Sequence, residues 1–324
     1  MKNDSIAKKI IGNPRRLSII RLFDPWKSRL CTCPLKYSLH PYTGCSHRCL
    51  YCYATAYIGR KPSIPKKDLW KRLKRDLRFI NKELIVELST SSDPYPPLEL
   101  WMFLTRKTLE ILATNNVKVL ITTKSDLVIR DIDVLLSTPS AVMITITSLD
   151  RDLVKKLEPG APSPERRIDA IRILSENKVP VGARIDPVIP GLNDDPHMLR
   201  ELVQPIVDAG ATHIVTSTYK ARPDNFRRMV EAFPDLSSYW RKLYYEEGIK
   251  MHGYHYLRQD VRRELLKPIV TEARKHGITY ATCREGFLGK EYFNSPSCDG
   301  SHLIKYSPKY VEDQGSIKKS YRLL

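Results

Sequence analysis

Short runs of aliphatic and β-branched residues recur along this chain with helix-patterned segments between them. The runs cover residues 84–88, 117–121, 142–146, 181–185, 213–216 and 278–281, and a further strand-like stretch covers 37–42. Between them, Leu199, Leu202, Val203, Ile206 and Val207 share one helical face, opened by Asp195-Pro196 and closed by Gly210. Ile168, Ile171 and Leu174 repeat the pattern after the cap Ser163 and Pro164. Strand–helix alternation of this length predicts an α/β fold, a parallel sheet with outer helices, open or closed into a barrel. A chain of 324 residues has room for one such barrel. Residues 1–36 read as an N-terminal extension, 37–303 as the α/β domain, and 304–324 as a basic C-terminal tail.

In parallel α/β folds, ligands sit beyond the C-terminal ends of the strands. Every such end here is polar. Ser89 to Asp93 follow one run, Thr122-Thr123-Lys124 the next, and Thr147-Ser148 the third. Asp186-Pro187 with Pro190-Gly191 predicts a tight turn after the fourth, Ser217 to Lys220 follow the fifth, and Cys283-Arg284-Glu285 the last. These ends predict a shared active-site mouth.

There are seven cysteines, an odd number, and the N-terminus lacks the apolar core of a secretory signal. A metal or redox role therefore fits better than a disulfide framework. Cys45, Cys49 and Cys52 are spaced C-x3-C-x2-C. A structural zinc wants four ligands, and this loop offers three thiols, with His47 as the rival fourth. An iron–sulfur cubane held by three thiolates keeps one iron open for an outside ligand. Cys31, Cys33, Cys283 and Cys298 are candidates for a second four-thiolate site, for zinc or a further cluster. Alternatively one of them donates a hydrogen atom, or all four are ordinary buried thiols.

The motif C-x3-C-x-aromatic-C, with Tyr51 as the aromatic, lies in a run from Leu39-His40-Pro41-Tyr42-Thr43-Gly44 through Tyr53-Ala54. It resembles the radical S-adenosylmethionine (radical SAM) superfamily, and in its flanks the spore photoproduct lyase-like, or DNA repair photolyase-like, branch. The resemblance spans about residues 37–303. It implies a partial or full parallel α/β barrel in which Cys45, Cys49 and Cys52 hold a [4Fe-4S] cluster. It further implies that S-adenosylmethionine chelates the open iron, and that one electron from a reductant cleaves it to a 5′-deoxyadenosyl radical. Ser91, Ser92 and Asp93 match the family's second-strand motif, which meets the cofactor's amino group. Thr145 and Thr147 fall where the family places a hydroxyl near the ribose or carboxylate. Arg184 is a carboxylate candidate, and Tyr51 an adenine contact. One departure stands out: strict spore photoproduct lyases carry a cysteine shortly before the Ser/Asp pair, and alignment on Ser92-Asp93 puts Thr90 there. A hydroxyl cannot replace a thiol as hydrogen-atom donor, which leaves Cys283 as the candidate catalytic thiol.

Lys and Arg number 54 against 36 Asp and Glu, a net charge of +18, which points to an acidic partner, with nucleic acid first. Within 66–82, Leu69, Leu73, Leu77 and Ile80 share one helical face, while Lys67, Lys71, Lys74, Arg78 and Lys82 share another. That stripe is either a phosphate track beside the mouth or a solvated helix face. The Tyr/Arg runs at 239–245 and 254–258 are candidates for base stacking or for core. No apolar run approaches the ~18 residues of a membrane span, so a soluble cytoplasmic protein is expected. Three functions remain open: radical SAM chemistry on DNA or tRNA, the same chemistry on a peptide or small metabolite, and non-enzymatic zinc-dependent nucleic-acid binding.

Overall fold

The computed structural model describes residues 11–23 and 30–304. Eight strands form one sheet whose spatial order follows the chain. They are β1 (Arg21–Phe23), β2 (Lys36–Leu39), β3 (Val86–Leu88), β4 (Val119–Thr123), β5 (Ser140–Thr145), β6 (Val181–Val188), β7 (His213–Thr218) and β8 (Thr279–Thr282). From β2 to β8 all pairings are parallel. β1 runs antiparallel to β2, with Leu22 opposite Tyr37, so part of the N-terminal extension belongs to the sheet.

The main outer helices are α1 (Leu69–Asp76), α2 (Leu104–Thr114), α3 (Pro164–Glu176), α4 (Pro196–Asp208), α5 (Pro223–Ala232) and α6 (Gln259–Lys275). The Asp195 carboxylate accepts the His197 and Met198 N–H groups and starts α4, as its sequence predicts. Ser163 precedes α3 but makes no side-chain cap bond.

Side chains alternate across the sheet. Outward residues such as Tyr37, Val86, Ile121, Val142, Ile185, Ile214 and Tyr280 join the main core under the helices. Inward residues Leu120, Ala141, Met143 and Val215 make a smaller apolar plug with Ile304. Further along the same inner face stand Glu87, Thr145, Arg184, Asp186 and Ser217, which line a cavity. The sheet thus turns an apolar floor and a charged upper wall toward its interior.

Three expectations shift. The stretch 37–42 ends as a strand at Leu39, and Tyr42–Thr43 instead pairs with Ile64–Pro65. β6 runs through Asp186-Pro187 to Val188, so that dipeptide lies within the strand, at a register shift against β7, and not in a turn. The helix expected over 66–82 covers only α1. Its last residue, Asp76, is fully buried and takes the N–H groups of Ser18, Ile19 and Ile20 at 2.7, 2.8 and 3.1 Å. The chain then passes into turns, and since the helix begins only at Leu69, Lys67, Arg78 and Lys82 all lie outside it.

No ladder joins β1 to β8 among the described residues. The two ends of the sheet meet through side chains, where Phe23 of β1 packs in one small cluster with Ala281 of β8. The tail expected from 304 lies, from 305 on, outside the described residues. No helix among them is long and apolar enough to cross a membrane.

Candidate active site

Inside the curl of the sheet is a cavity of about 230 Å³, with Cys45, Cys49 and Cys52 on its wall. The cysteine loop is shaped by its neighbours. Gly44 adopts φ +78°, a conformation that favours glycine, and the Cys45 N–H donates to the Lys61 carbonyl at 2.9 Å. On the other side the 158–162 turn presses close. A Cβ on Gly160 would stand 2.0 Å from the Ser46 carbonyl oxygen, so only glycine fits there. Gly160 N–H donates to His47 O at 3.0 Å, and Leu50 N–H donates to Leu157 O at 2.8 Å.

His47 is anchored through Nδ1, and its Nε2 faces the Asp93 carboxylate without a directed hydrogen bond. Nδ1 lies 2.9 Å from the Gly160 carbonyl, and Nε2 lies 3.2 Å from Asp93 Oδ2 as an ion-pair contact. A zinc site completed by His47 is therefore not formed; the imidazole braces the loop. Burial, with the nearby Asp93 carboxylate, pushes the Cys45 thiol up to about 11. Cys49, fully buried, is raised further for the same reason of desolvation. Thiolates here need a cation at hand, which is what metal ligation supplies.

Asp93 lines the cavity, yet its carboxylate is already engaged. Oδ1 accepts from Tyr95 N–H at 2.9 Å and Thr123 Oγ1 at 2.7 Å, and Oδ2 accepts from Lys124 N–H at 2.9 Å. Burial works against its charge, but His47 and these donors hold it down at about 2. With His47 these partners fill the roughly four acceptor sites of a carboxylate. Ser91 also lines the cavity, with its hydroxyl 3.3 Å from His40 Nε2. Ser92 does not, because its buried hydroxyl donates to the Tyr42 carbonyl at 3.0 Å. Thr90 is on the wall, 3.0 Å from His40 Nε2. Desolvation lowers His40 to about 4, so the ring is neutral at pH 7.

Thr145 reaches the cavity, whereas the Thr147 hydroxyl is spent behind it on Glu158 at 3.0 Å. Tyr51 is on the wall with its hydroxyl on the same Glu158, which also pairs with buried Arg167 at 2.5 Å. Arg184 faces the cavity and not the helices, and it pairs with Asp186, two residues along the same strand face, at 2.6 Å.

Lys36, Glu87 and Asp299 line the cavity and escaped the sequence reading, whereas Lys124 and Lys220 lie at polar strand ends that it named. Lys36 of β2 pairs with Glu87 of β3 and, at 2.5 Å, with Asp299. Lys124 lies 5.5 Å from the Tyr51 ring centroid, and Lys220 pairs with Glu285 at 3.0 Å. Glu87 did leave a signal: it is the lone charge in an apolar strand, which on a sheet covered by helices must face a polar interior.

Cys31, Cys33 and Cys283 line the far wall, and Cys298 sits behind them. Cys33 and Cys298 sulfurs are 3.5 Å apart. Cys31 contacts Cys33, and Cys283 contacts both Cys33 and Cys298 through their side chains.

The nucleic-acid features are less convergent. Lys67, Lys71, Lys74, Arg78 and Lys82 are all exposed, and none lines the cavity. Trp240, Tyr244 and Tyr256 are core residues, and the Trp240 indole donates to Pro190 O at 2.8 Å. Nearer the cavity, Arg222 and Arg284 lie 4.6 and 4.4 Å from the Tyr254 ring centroid.

A family model described as Radical SAM superfamily matches residues 39–203. An uncharacterized protein of Methanocaldococcus jannaschii is 36% identical over 171 residues, which cover 51% of this chain and 65% of that protein. The match thus spans just under two thirds of that relative. A radical SAM Nalpha-GlyT isomerase of Pseudomonas phage M6 is 24% identical over 79% of this chain and 55% of that one. A solved structure of spore photoproduct lyase complexed with dinucleoside spore photoproduct matches with a TM-score of 0.64. It covers 87% of this chain and 81% of that one at 19% identity, a likeness of fold.

Proposed function

The chain belongs to the radical SAM superfamily, and from that premise we propose that this enzyme binds a [4Fe-4S] cluster through Cys45, Cys49 and Cys52 and acts on a nucleic acid. The observation that carries the cofactor assignment is the placing of three thiols on one cavity wall, with His47 turned to Gly160 and Asp93. That donor set fits a cluster with one open iron and does not fit four-ligand zinc. Membership of the family also removes the non-enzymatic zinc reading.

When bound, the cluster and S-adenosylmethionine supply one-electron cleavage of the sulfonium and a radical able to abstract hydrogen from carbon. The chain's own residues position and shield that chemistry. Lys124 forms no ion pair among the described residues, so it is the first cation proposed for the cofactor carboxylate; Arg184 is the second, since its pair with Asp186 uses one nitrogen of the guanidinium. Ser91 is the proposed hydroxyl contact for its ammonium, since the Asp93 carboxylate already holds the cysteine loop. Tyr51 offers its ring to the adenine, steadied through Glu158 and Arg167. Thr145 offers a hydroxyl to the ribose or carboxylate.

Support for a nucleic-acid substrate comes from the net charge of +18 and the Arg-flanked Tyr254 beside the cavity. A fold relative was solved in complex with dinucleoside spore photoproduct, and a sequence relative is named for an isomerisation. A base or sugar carbon must leave the stack to reach an enclosed cavity, so unpaired DNA or a structured RNA suits better than intact duplex. The test is binding of single-stranded DNA and tRNA at several salt concentrations. The reading expects log affinity to fall with log salt by about 0.7 for each phosphate neutralised on a single strand. If neither binds below about 10 μM in moderate salt, the substrate is instead a peptide or small metabolite.

A further inference from the structure

Four of the seven cysteines lie outside the cluster motif, and they come from three segments. Cys31 and Cys33 precede β2, Cys283 follows β8, and Cys298 lies in the loop beyond it. Folding brings Cys31, Cys33 and Cys298 into one cluster with Phe23, Ala281 and Phe293, and Cys283 of the neighbouring inner cluster touches Cys33 and Cys298 from the side. We propose that Cys31, Cys33, Cys283 and Cys298 bind one zinc ion, which clasps the two ends of the open sheet together beside the active-site cavity.

The spacing selects the ligand. Cys33 and Cys298 sulfurs stand 3.5 Å apart. A disulfide would need about 2.05 Å. Four sulfurs at ~2.3 Å from a single tetrahedral ion stand about 3.8 Å from one another. A cubane spreads its thiolates further, because each binds a different iron. The Cys33–Cys298 contact, here a thiol–thiol hydrogen bond, is too long for a disulfide and within a few tenths of an ångström of the edge of the single-ion tetrahedron. Among the described residues no three ligand side chains are yet drawn round one point. The thiols are gathered, and binding would close them, as metal binding commonly completes local folding.

The place explains why an ion belongs there. No backbone ladder joins β1 to β8 among the described residues. The segment after β8 runs back along that strand, where Asn294 N–H donates to Tyr280 O at 3.0 Å and Tyr280 N–H to Asn294 Oδ1 at 2.6 Å. It then delivers Cys298 to Cys33 and Asp299 to Lys36, 2.5 Å away. The sulfurs and the Lys36–Asp299 pair are thus the fastening between the first and last parts of the sheet. Four protein ligands leave no open position, the pattern of a structural site. In this arrangement Cys283 carries no S–H bond, so it is not the hydrogen-atom donor that Thr90 leaves wanting.

The experiment separates the two metal sites. Protein carrying Cys45→Ala, Cys49→Ala and Cys52→Ala is purified without oxygen and analysed for zinc, iron and sulfide. One zinc per chain with iron at background is expected. Adding Cys33→Ala and Cys298→Ala should cut the zinc at least tenfold. Because the fivefold variant risks misfolding, the triple variant stripped of metal is also titrated with cobalt(II). Tetrahedral cobalt–thiolate absorption saturating at one equivalent is expected. Zinc-free triple variant with no cobalt–thiolate band overturns the proposal. So does iron with sulfide in that variant, which would mean a second cluster, or zinc that survives loss of Cys33 and Cys298 in a folded protein.

Discussion

His47 Nε2 stands 3.2 Å from Asp93 Oδ2, while its Nδ1 holds the Gly160 carbonyl at 2.9 Å. One imidazole inside the cysteine motif therefore joins the loop after β3 to the turn at 158–162, and fixes the cysteine loop between them. Asp93 is held at about 2, below its ordinary ~3.9. A depressed carboxylate stabilises the fold above the unfolded value and loses that contribution as pH falls through the folded one. Asp93→Asn should cost roughly 2–3 kcal/mol at neutral pH and flatten the acid unfolding curve between about pH 4 and pH 2. Denaturant titrations across that range check it.

Gly160→Ala should disturb the loop without touching a thiol. Its Cβ would meet the Ser46 carbonyl oxygen at 2.0 Å, and a backbone atom cannot swing aside. Iron and sulfide incorporation should fall severalfold, while secondary structure by circular dichroism is kept.

Glu158 is fully buried and serves Tyr51, Thr147 and Arg167 together. Glu158→Gln leaves the Arg167 guanidinium buried without its counter-charge. Breaking a buried pair from one side costs about 3–5 kcal/mol. The double change Glu158→Gln with Arg167→Met should recover part of that, and unfolding midpoints in urea measure both.

The lysine stripe offers a separate test. Lys67, Lys71 and Lys74 are exposed and off the cavity wall. Changing all three to Glu should leave S-adenosylmethionine cleavage without substrate unchanged. If α1 tracks phosphates, the change weakens every DNA or RNA equally and flattens the salt slope. Tight wild-type binding that the triple variant keeps would place the phosphate contacts elsewhere, with Arg222 and Arg284 next to test.

Strands β3 to β8 were legible because each contains an apolar run, and the cysteine motif because its residues are adjacent; β1, a three-residue strand inside the segment read as an extension, was not. The inner face was only half legible. Thr145, Arg184 and Ser91 reached the cavity, but Ser92 and Thr147 turned to local acceptors that only the folded neighbours supply. Lys36, Glu87 and Asp299 meet across a separation no local pattern encodes. The partners of Asp93 were not legible either: two backbone donors, the Thr123 hydroxyl and His47 come to its oxygens, most of them from segments distant in sequence. The helix over 66–82 was overextended because α1's periodicity continues past Asp76, where the buried carboxylate binds the N-terminal segment.

The central claim is that Cys45, Cys49 and Cys52 assemble the radical-forming centre in this cavity. The most direct measurement is anaerobic reconstitution with iron and sulfide, dithionite reduction in the presence of S-adenosylmethionine, and quantification of 5′-deoxyadenosine. Wild-type protein should form it, and Cys49→Ala protein should form none and lose most of its iron from that site. Undiminished 5′-deoxyadenosine and full iron content in the Cys49→Ala protein would contradict the account.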